Sequence, residues 1–243
     1  MASLPVYWLP DPVQEVPELV RLSGPDGRHA ATVRRTRIGE QVELVDGTGL
    51  RLRCEVVAVA PAALETRVLS AHREPDPAPR LVVVQALAKG DRSELAVATA
   101  TEVGADVIVP WSASRSVVQW RGERTARSLA RWRSTVREAA KQSRRSRAPE
   151  VVGLACTTDV AGRLADAALA VVLHQSATVP LSSLQVPAAG DVVVVVGPEG
   201  GIGDEELAAF GVEPVRLGPT VLRTSTAGVA ACAALLSRTP RWA

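Results

Sequence analysis

The chain has 243 residues, 28 Lys+Arg against 26 Asp+Glu, a formal charge of +2, and 47% hydrophobic and 22% charged residues. Those proportions exclude bulk disorder and suit one or two globular domains. Aromatic residues make up only 3%, so a Val-, Leu- and Ala-based core is expected, and an aromatic base-stacking platform of the RRM or OB type is disfavoured.

Residues 1–73 read as β-rich. Gln41–Val45 alternates, Asp46-Gly47-Thr48-Gly49 marks a turn, and Leu50–Ala60 alternates again, which predicts a hairpin. Arg73–Arg80 holds three prolines in eight residues, so residues 74–80 are expected to link a first domain, 1–73, to a second, 81–243. Beyond them, strands and helices alternate. Leu81–Ala86 is a buried-type strand. Asp91–Gly104 is a helix with Asp91 and Glu94 at capping-box spacing and Gly104 as its stop. Val107–Val109 follows as a strand, then a long helix over Thr125–Ser143. Ala168–His174 and Val192–Val196 are two more buried strands. Asp204–Phe210 is a helix with an Asp cap, Val215–Leu217 a strand, and Thr226–Ser237 a last helix with Thr224 or Ser225 as its N-cap. This order predicts an α/β fold with a mainly parallel sheet. The last helix is almost wholly apolar or small, so it is expected to pack inside the fold or on another subunit.

Cys54, Cys156 and Cys232 are far apart and form no CxxC pair, so neither a metal site nor a disulfide framework is expected. The segment MASLPVYWLPDP lacks a basic stretch followed by an apolar run, and no apolar run approaches a membrane span. A cytoplasmic chain with no membrane partner is expected.

Charge is segregated. Residues 121–147 carry ten basic and two acidic side chains, a local +8 that leaves −6 for the rest. Dense guanidinium groups favour a phosphate-rich polyanion.

Chemistry concentrates in two loops. Gly197-Pro-Glu-Gly-Gly-Ile-Gly203 follows a predicted strand and packs four glycines and a proline into seven residues. Ligands of parallel sheets bind outside the carboxyl ends of strands, where glycine lets backbone approach them. The spacing fits neither GxGxxG nor a Walker A loop. Leu217–Ala227 (LGPTVLRTSTA) follows the next strand, so the two loops suggest one composite pocket. No GxSxG is present.

GPEGG at 197–201 with a Glu at 205 or 206, followed by LGPTVLRTSTA at 217–227, resembles the C-terminal signature of the RsmE family. These are bacterial 16S rRNA uridine-N3 methyltransferases of the SPOUT superfamily. Residues 89–118, 131–151, and His29 with 34–49 are similar to three further family blocks, so the resemblance spans nearly the whole chain. One departure is Ser225, where the family usually has Glu; no carboxylate role falls there.

The resemblance implies a C-terminal trefoil-knotted parallel-sheet domain preceded by a small PUA-like β-barrel. It implies S-adenosylmethionine as cofactor and 16S rRNA within the small ribosomal subunit as substrate. It further implies a homodimer with a shared active site. The cofactor bed is expected at Leu173, His174, Gly197, Pro198, Glu199, Gly200 and Gly201, with Leu217, Gly218, Leu222, Arg223 and Thr224. Uridine N3 carries a proton, so catalysis must remove it or stabilise the developing anion. Arg223 is the first candidate cation, with Arg115 and Arg144 behind it; Glu199 is a candidate base or substrate-orienting group, or else a loop anchor. RNA contacts are expected at Arg34, Arg35, Arg37, Arg51 and Arg53 in the first domain. A second set comprises Arg115, Arg137, Lys141, Gln142, Arg144 and Arg145. The competing readings are a non-catalytic RNA-binding ribosome-assembly factor and a SPOUT methyltransferase acting on another RNA. Two intact glycine loops speak against the first, and the first domain with Gln142-Ser143-x-Arg145 against the second.

Overall fold

The computed structural model describes residues 4–242; the first three residues of the expected first domain and the last of the second lie outside the described residues. The chain divides into two units, residues 1–76 with 140–148, and residues 77–139 with 149–243.

The first unit opens with β1 (Val6–Trp8), β2 (Leu19–Leu22) and a short helix α1 (Gly24–Arg28) that runs into one π-helical turn, His29–Val33. β3 (Gln41–Val45), β4 (Leu50–Ala60) and β5 (Ala63–Arg73) follow. They form one five-stranded sheet in the order β1-β3-β4-β5-β2. Period-two alternation puts Val42, Leu44, Leu52, Cys54 and Val56 into one buried cluster with Leu22 and Leu64. The β3–β4 turn is held by Asp46, whose carboxylate accepts the Thr48 and Leu50 amides at 2.8 and 3.1 Å and the Thr48 hydroxyl at 2.7 Å. Burial pushes this carboxyl up, but those hydrogen bonds outweigh it and the net pKa is lowered.

Residues 140–148 close the first unit. Ala140 and Ala148 pack with Trp8 and Val45. Lys141 pairs with Asp26 at 3.0 Å, and Arg147 with Asp76 at 3.1 Å. The sequence places this stretch in the second domain; its alanines and its cations nevertheless find their partners in the first unit.

The second unit contains β6 (Arg80–Ala86), α2 (Arg92–Val103), β7 (Val107–Trp111), and α3 (Glu123–Gln142), whose last three residues group with the first unit. Next come β8 (Glu150–Val151), α4 (Thr157–Ala165), β9 (Leu169–Val172), β10 (Val179–Pro180) and β11 (Asp191–Val196). α5 (Asp204–Phe210), β12 (Val215–Arg216) and α6 (Thr224–Leu236) complete it. Five strands form an all-parallel sheet in the order β8-β7-β6-β11-β9. The unbroken apolar runs are explained by burial on both faces. Val82, Val84, Val193 and Val195 face a cluster with Val160, Leu164 and Phe210. Leu81, Val83, Val192 and Val194 face one with Ala231, Cys232, Leu235 and Leu236 of α6. Burial pushes the Cys232 thiol up to about 12. Trp120 and Trp132 meet edge-on at 5.2 Å in a third cluster beneath α3.

Several local expectations are corrected. Asp91 does not cap α2: its backbone is already right-handed helical and its side chain makes no cap bond. Ser93 instead accepts the Ala88 amide at 2.9 Å, and Glu94 pairs with Arg131 at 2.9 Å. The cap of α5 is Gly203, not Asp204, and the Glu206 carboxylate reaches back to its amide. α6 starts at Thr224 with Arg223 as N-cap, because the Thr224 hydroxyl is engaged with the Gly197 carbonyl at 2.7 Å. The strand expected over Ala168–His174 spans only Leu169–Val172. α4 was not anticipated; its signal is Asp159, which accepts the Cys156 amide at 2.8 Å.

Candidate active site

The ends of β9, β11 and β12 converge. Beyond β9, the Leu173 amide donates to the Val195 carbonyl at 3.1 Å and the His174 amide to the Val215 carbonyl at 3.0 Å. The segments leaving β11 and β12 therefore lie beside the chain leaving β9, at the carboxyl end of a parallel sheet.

These segments enclose a pocket of about 520 Å³, within the size range of small-ligand sites. All twelve residues expected to hold a cofactor, from Leu173 and His174 through Gly197–Gly201 to Leu217, Gly218 and Leu222–Thr224, line it. Sequence reasoning missed Arg92, Gln175, Arg216 and Val221, which also line it. Arg92 sits three residues after Lys89 in a block already singled out; its only signal was that proximity.

The glycine loop is fixed from several sides. Gly201 has a φ of +74°, a left-handed conformation that favours glycine. A Cβ on Gly200 would stand 3.1 Å from the Arg115 Cβ and 3.2 Å from its carbonyl oxygen, so the loop seats closely on residue 115. Glu206, buried in α5, accepts the Ser114 amide at 2.8 Å, the Gly203 amide at 3.0 Å and the Thr157 hydroxyl at 3.2 Å. Burial raises its pKa, but these bonds outweigh it and the net shift is downward. Beneath the loop, buried Gln85 donates to the Thr224 hydroxyl at 3.0 Å, and that hydroxyl donates to the Gly197 carbonyl. Neither Glu206 nor Gln85 was a predicted site residue.

Glu199 is the one carboxylate among the described residues lining the pocket. It accepts the Arg92 guanidinium at 2.9 Å and the Lys89 amide at 3.3 Å. Partial burial pushes its pKa up, but hydrogen bonds from its own backbone, Arg92 and Lys89, with the Arg92 charge, bring it below the ordinary value. Glu199 therefore stays ionised near neutrality and is a weak proton acceptor. The remaining lining is largely backbone, apolar side chains and the cations Arg92, Arg216 and Arg223. A glycine cradle with apolar walls and a cationic rim suits a nucleoside-sized ligand and a negatively charged reacting group.

The expected RNA contacts fall into different situations. Arg34, Arg35 and Arg37 are exposed and form no ion pair among the described residues. Arg53 is exposed and donates to the Gln41 side chain at 2.7 and 3.0 Å. Arg51 is held by Glu43 at 2.7 Å and donates to the Arg144 carbonyl at 3.0 Å. Lys141 is committed to Asp26. Gln142 and Arg144 are exposed, whereas Arg137 and Arg145 are half-buried. Arg115 donates to the Gly200 carbonyl at 3.4 Å. Arg127, Arg131 and Arg147 pair with Glu123, Glu94 and Asp76. Three acids from outside the segment, Glu94, Asp26 and Asp76, thus offset part of its +8, which sequence spacing concealed. Among the described residues no cluster of His, Cys, Asp or Glu could hold a metal ion, and no helix is long and apolar enough to cross a membrane.

The chain matches a family model described as an RNA methyltransferase domain over residues 74–236, and one described as an RNA methyltransferase PUA domain over residues 22–69. It is 47% identical over 228 residues to the Ribosomal RNA small subunit methyltransferase E of Mycobacterium bovis, covering 91% of this chain and 87% of that one. Two solved structures are similar. One is a Ribosomal RNA small subunit methyltransferase E from Neisseria gonorrhoeae bound to S-adenosyl methionine, 27% identical with a TM-score of 0.81, over 97% of this chain and 98% of that one. The other is a methyltransferase from Legionella pneumophila in complex with the same cofactor, 27% identical with a TM-score of 0.82, over 98% and 99%.

Proposed function

The chain belongs to the ribosomal RNA small subunit methyltransferase E family, an S-adenosylmethionine-dependent group, and from that premise we propose that it methylates N3 of one specific uridine in 16S rRNA. The observation that carries this reading is the pocket at the strand ends. The twelve residues expected there, from three separate segments, are all among its lining, around a glycine cradle.

In this reading the cofactor rests on Gly197–Gly201, Leu217–Gly218 and Leu222–Thr224, with Leu173 and His174 beside it. When bound, S-adenosylmethionine supplies a sulfonium-activated methyl group. The apolar walls exclude water, which strengthens every electrostatic contact inside. Arg223, at the α6 N-cap on the pocket rim, stabilises the negative charge that develops on the uridine carbonyls as N3 gives its proton to solvent before taking the methyl group. Glu199 holds the glycine loop through Arg92 and the Lys89 amide and is not the base. Arg34, Arg35, Arg37 and Arg53, with the exposed members of the second set, contact the RNA backbone.

The finer architecture belongs to the same proposal. The C-terminal segments thread as a trefoil knot, and two copies share the active site in the cytoplasm on the small ribosomal subunit. α6 leaves Thr226 and Ala234 exposed and Val229, Ala230 and Ala233 half-exposed, a small-residue face suited to a twofold contact.

Two measurements test the function. Titration calorimetry should detect S-adenosylmethionine binding to the purified protein. Nucleoside mass spectrometry of 16S rRNA from a deletion strain should show the loss of N3-methyluridine. Retention of that nucleoside would refute the assigned reaction.

A further inference from the structure

The first unit carries a second pocket, lined by none of the residues assigned to the cofactor. Pro25, Arg28, His29, Thr32 and Val33 line it, together with Ala62 from the β4–β5 turn. Its wall is the π-helical turn, closed by the Arg34 amide donating to the His29 carbonyl at 2.9 Å. Thr36 ties the next turn back, its hydroxyl donating to the Ala30 carbonyl at 3.0 Å. Between them Arg35 adopts a φ of +56°, so the chain reverses and Arg34, Arg35 and Arg37 leave one tight bend.

The charge between Gly24 and Arg37 is one-sided. Asp26, the one acid between Gly24 and Arg37, is turned away: it accepts the Trp8 amide at 2.8 Å and pairs with Lys141 at 3.0 Å. Arg28, Arg34, Arg35 and Arg37 are exposed and form no ion pair among the described residues. The apolar part is exposed as well, with Val33 and Ile38 each 68% accessible. The exposed His29 ring stands 6.5 Å from the buried Tyr7 ring at 58°, which backs the imidazole without covering it. An accessible imidazole and guanidinium beside an apolar hollow, followed along the chain by three cations with no ion pair among the described residues, match a flat aromatic group carried on a polyanion.

We propose that this pocket receives one unstacked nucleobase of single-stranded RNA, stacked on His29 and Arg28, while Arg34, Arg35 and Arg37 take the neighbouring phosphates. The inference rests on the RNA-modifying reading above and assigns the first unit a base-binding site in addition to backbone contacts. A duplex hides its bases in the stack and cannot fill such a pocket. One stacked base with a cationic groove is a sequence-tolerant way to hold a single strand, and here it needs no platform of several Phe, Tyr or Trp side chains.

The test uses the full chain and a fluorescent single-stranded RNA decamer, unmodified or with one abasic position moved along it. His29→Ala should weaken binding of the unmodified RNA by about 5- to 150-fold, the range for one lost base stack. With one of the abasic probes the unmutated protein should bind comparably weakly, and His29→Ala should add nothing. Ala62→Leu, which fills the hollow from an exposed turn, should reproduce this pattern without removing a ring. Affinity for S-adenosylmethionine should be unchanged in both variants. Equal losses with every abasic probe and with duplex RNA, or no loss in either variant, would overturn the base pocket. If S-adenosylmethionine binding and methyl transfer persist in that case, the enzymatic reading stands alone. If the unmutated protein binds no S-adenosylmethionine, that reading fails while the RNA measurement still decides the pocket.

Discussion

Glu206 of α5 reaches across ninety-two positions of sequence to accept the Ser114 amide at 2.8 Å. The same carboxylate takes the Gly203 amide at the end of the glycine loop, so one buried group joins the loop after β7 to the loop after β11. Its lowered pKa means that the folded state favours the ionised form. That stabilisation is fully present above the ordinary carboxylate range and is lost as pH falls through the lower folded value. Glu206→Gln should cost about 1–3 kcal/mol at neutral pH, since one acceptor is lost and buried donors are left unpaired. Urea melts at neutral and acidic pH check this: the variant should lose less stability on acidification than the unmutated chain.

The Arg92–Glu199 pair separates a loop anchor from a proton acceptor. Arg92→Ala and Glu199→Gln should each weaken S-adenosylmethionine binding modestly, and the double variant should be little worse than either. The coupling should be about 0.2–1 kcal/mol, as expected for a solvent-accessible pair. The pH profile of methyl transfer should keep its shape in Glu199→Gln. Loss of its acidic limb would make Glu199 the base.

Arg223 should affect chemistry more than binding. Arg223→Ala is expected to lower kcat by about 10²–10³, as for loss of one charge-stabilising donor, with a smaller change in the S-adenosylmethionine Kd. Single-turnover methylation and calorimetry on the same variant separate the two effects.

The cations of the two predicted RNA surfaces should behave differently. Lys141→Ala leaves Asp26 without its ammonium partner and should lower stability by about 1–3 kcal/mol, read by thermal melts. Substituting Arg34 and Arg35 should leave the melting temperature unchanged. It should lower the slope of log K against log salt by about 0.7 for each single-strand phosphate contact removed.

The proposed dimer rests on α6. Ala234→Arg places a charge on its exposed face, which solvent accepts in a monomer and an apolar twofold contact does not. Sedimentation should show a soluble monomer with lost methylation. An unmutated protein that sediments as a monomer and is fully active would refute the shared site.

The sequence by itself determined the elements whose signal is local. Both glycine loops, the apolar strands and the β3–β4 hairpin depend on residue type and short-range periodicity, and they are where the pattern puts them. It also pointed to the segments that line the pocket at the strand ends, though not to Arg92, because parallel strands deliver their carboxyl-end loops to one edge of the sheet. Only the tertiary structure decided how those loops are held and which charges remain free. Thr224 is drawn from its expected capping role by the Gly197 carbonyl, twenty-seven residues away, and Asp204 yields its expected role to Gly203 and Glu206. Lys141 and Arg147 read as part of one cationic run, yet fold back onto Asp26 and Asp76, while Arg34, Arg35 and Arg37 form no ion pair among the described residues. Ion pairing and buried hydrogen bonding are set by side chains distant in sequence, and spacing along the chain carries no record of which distant carboxylate or carbonyl will arrive.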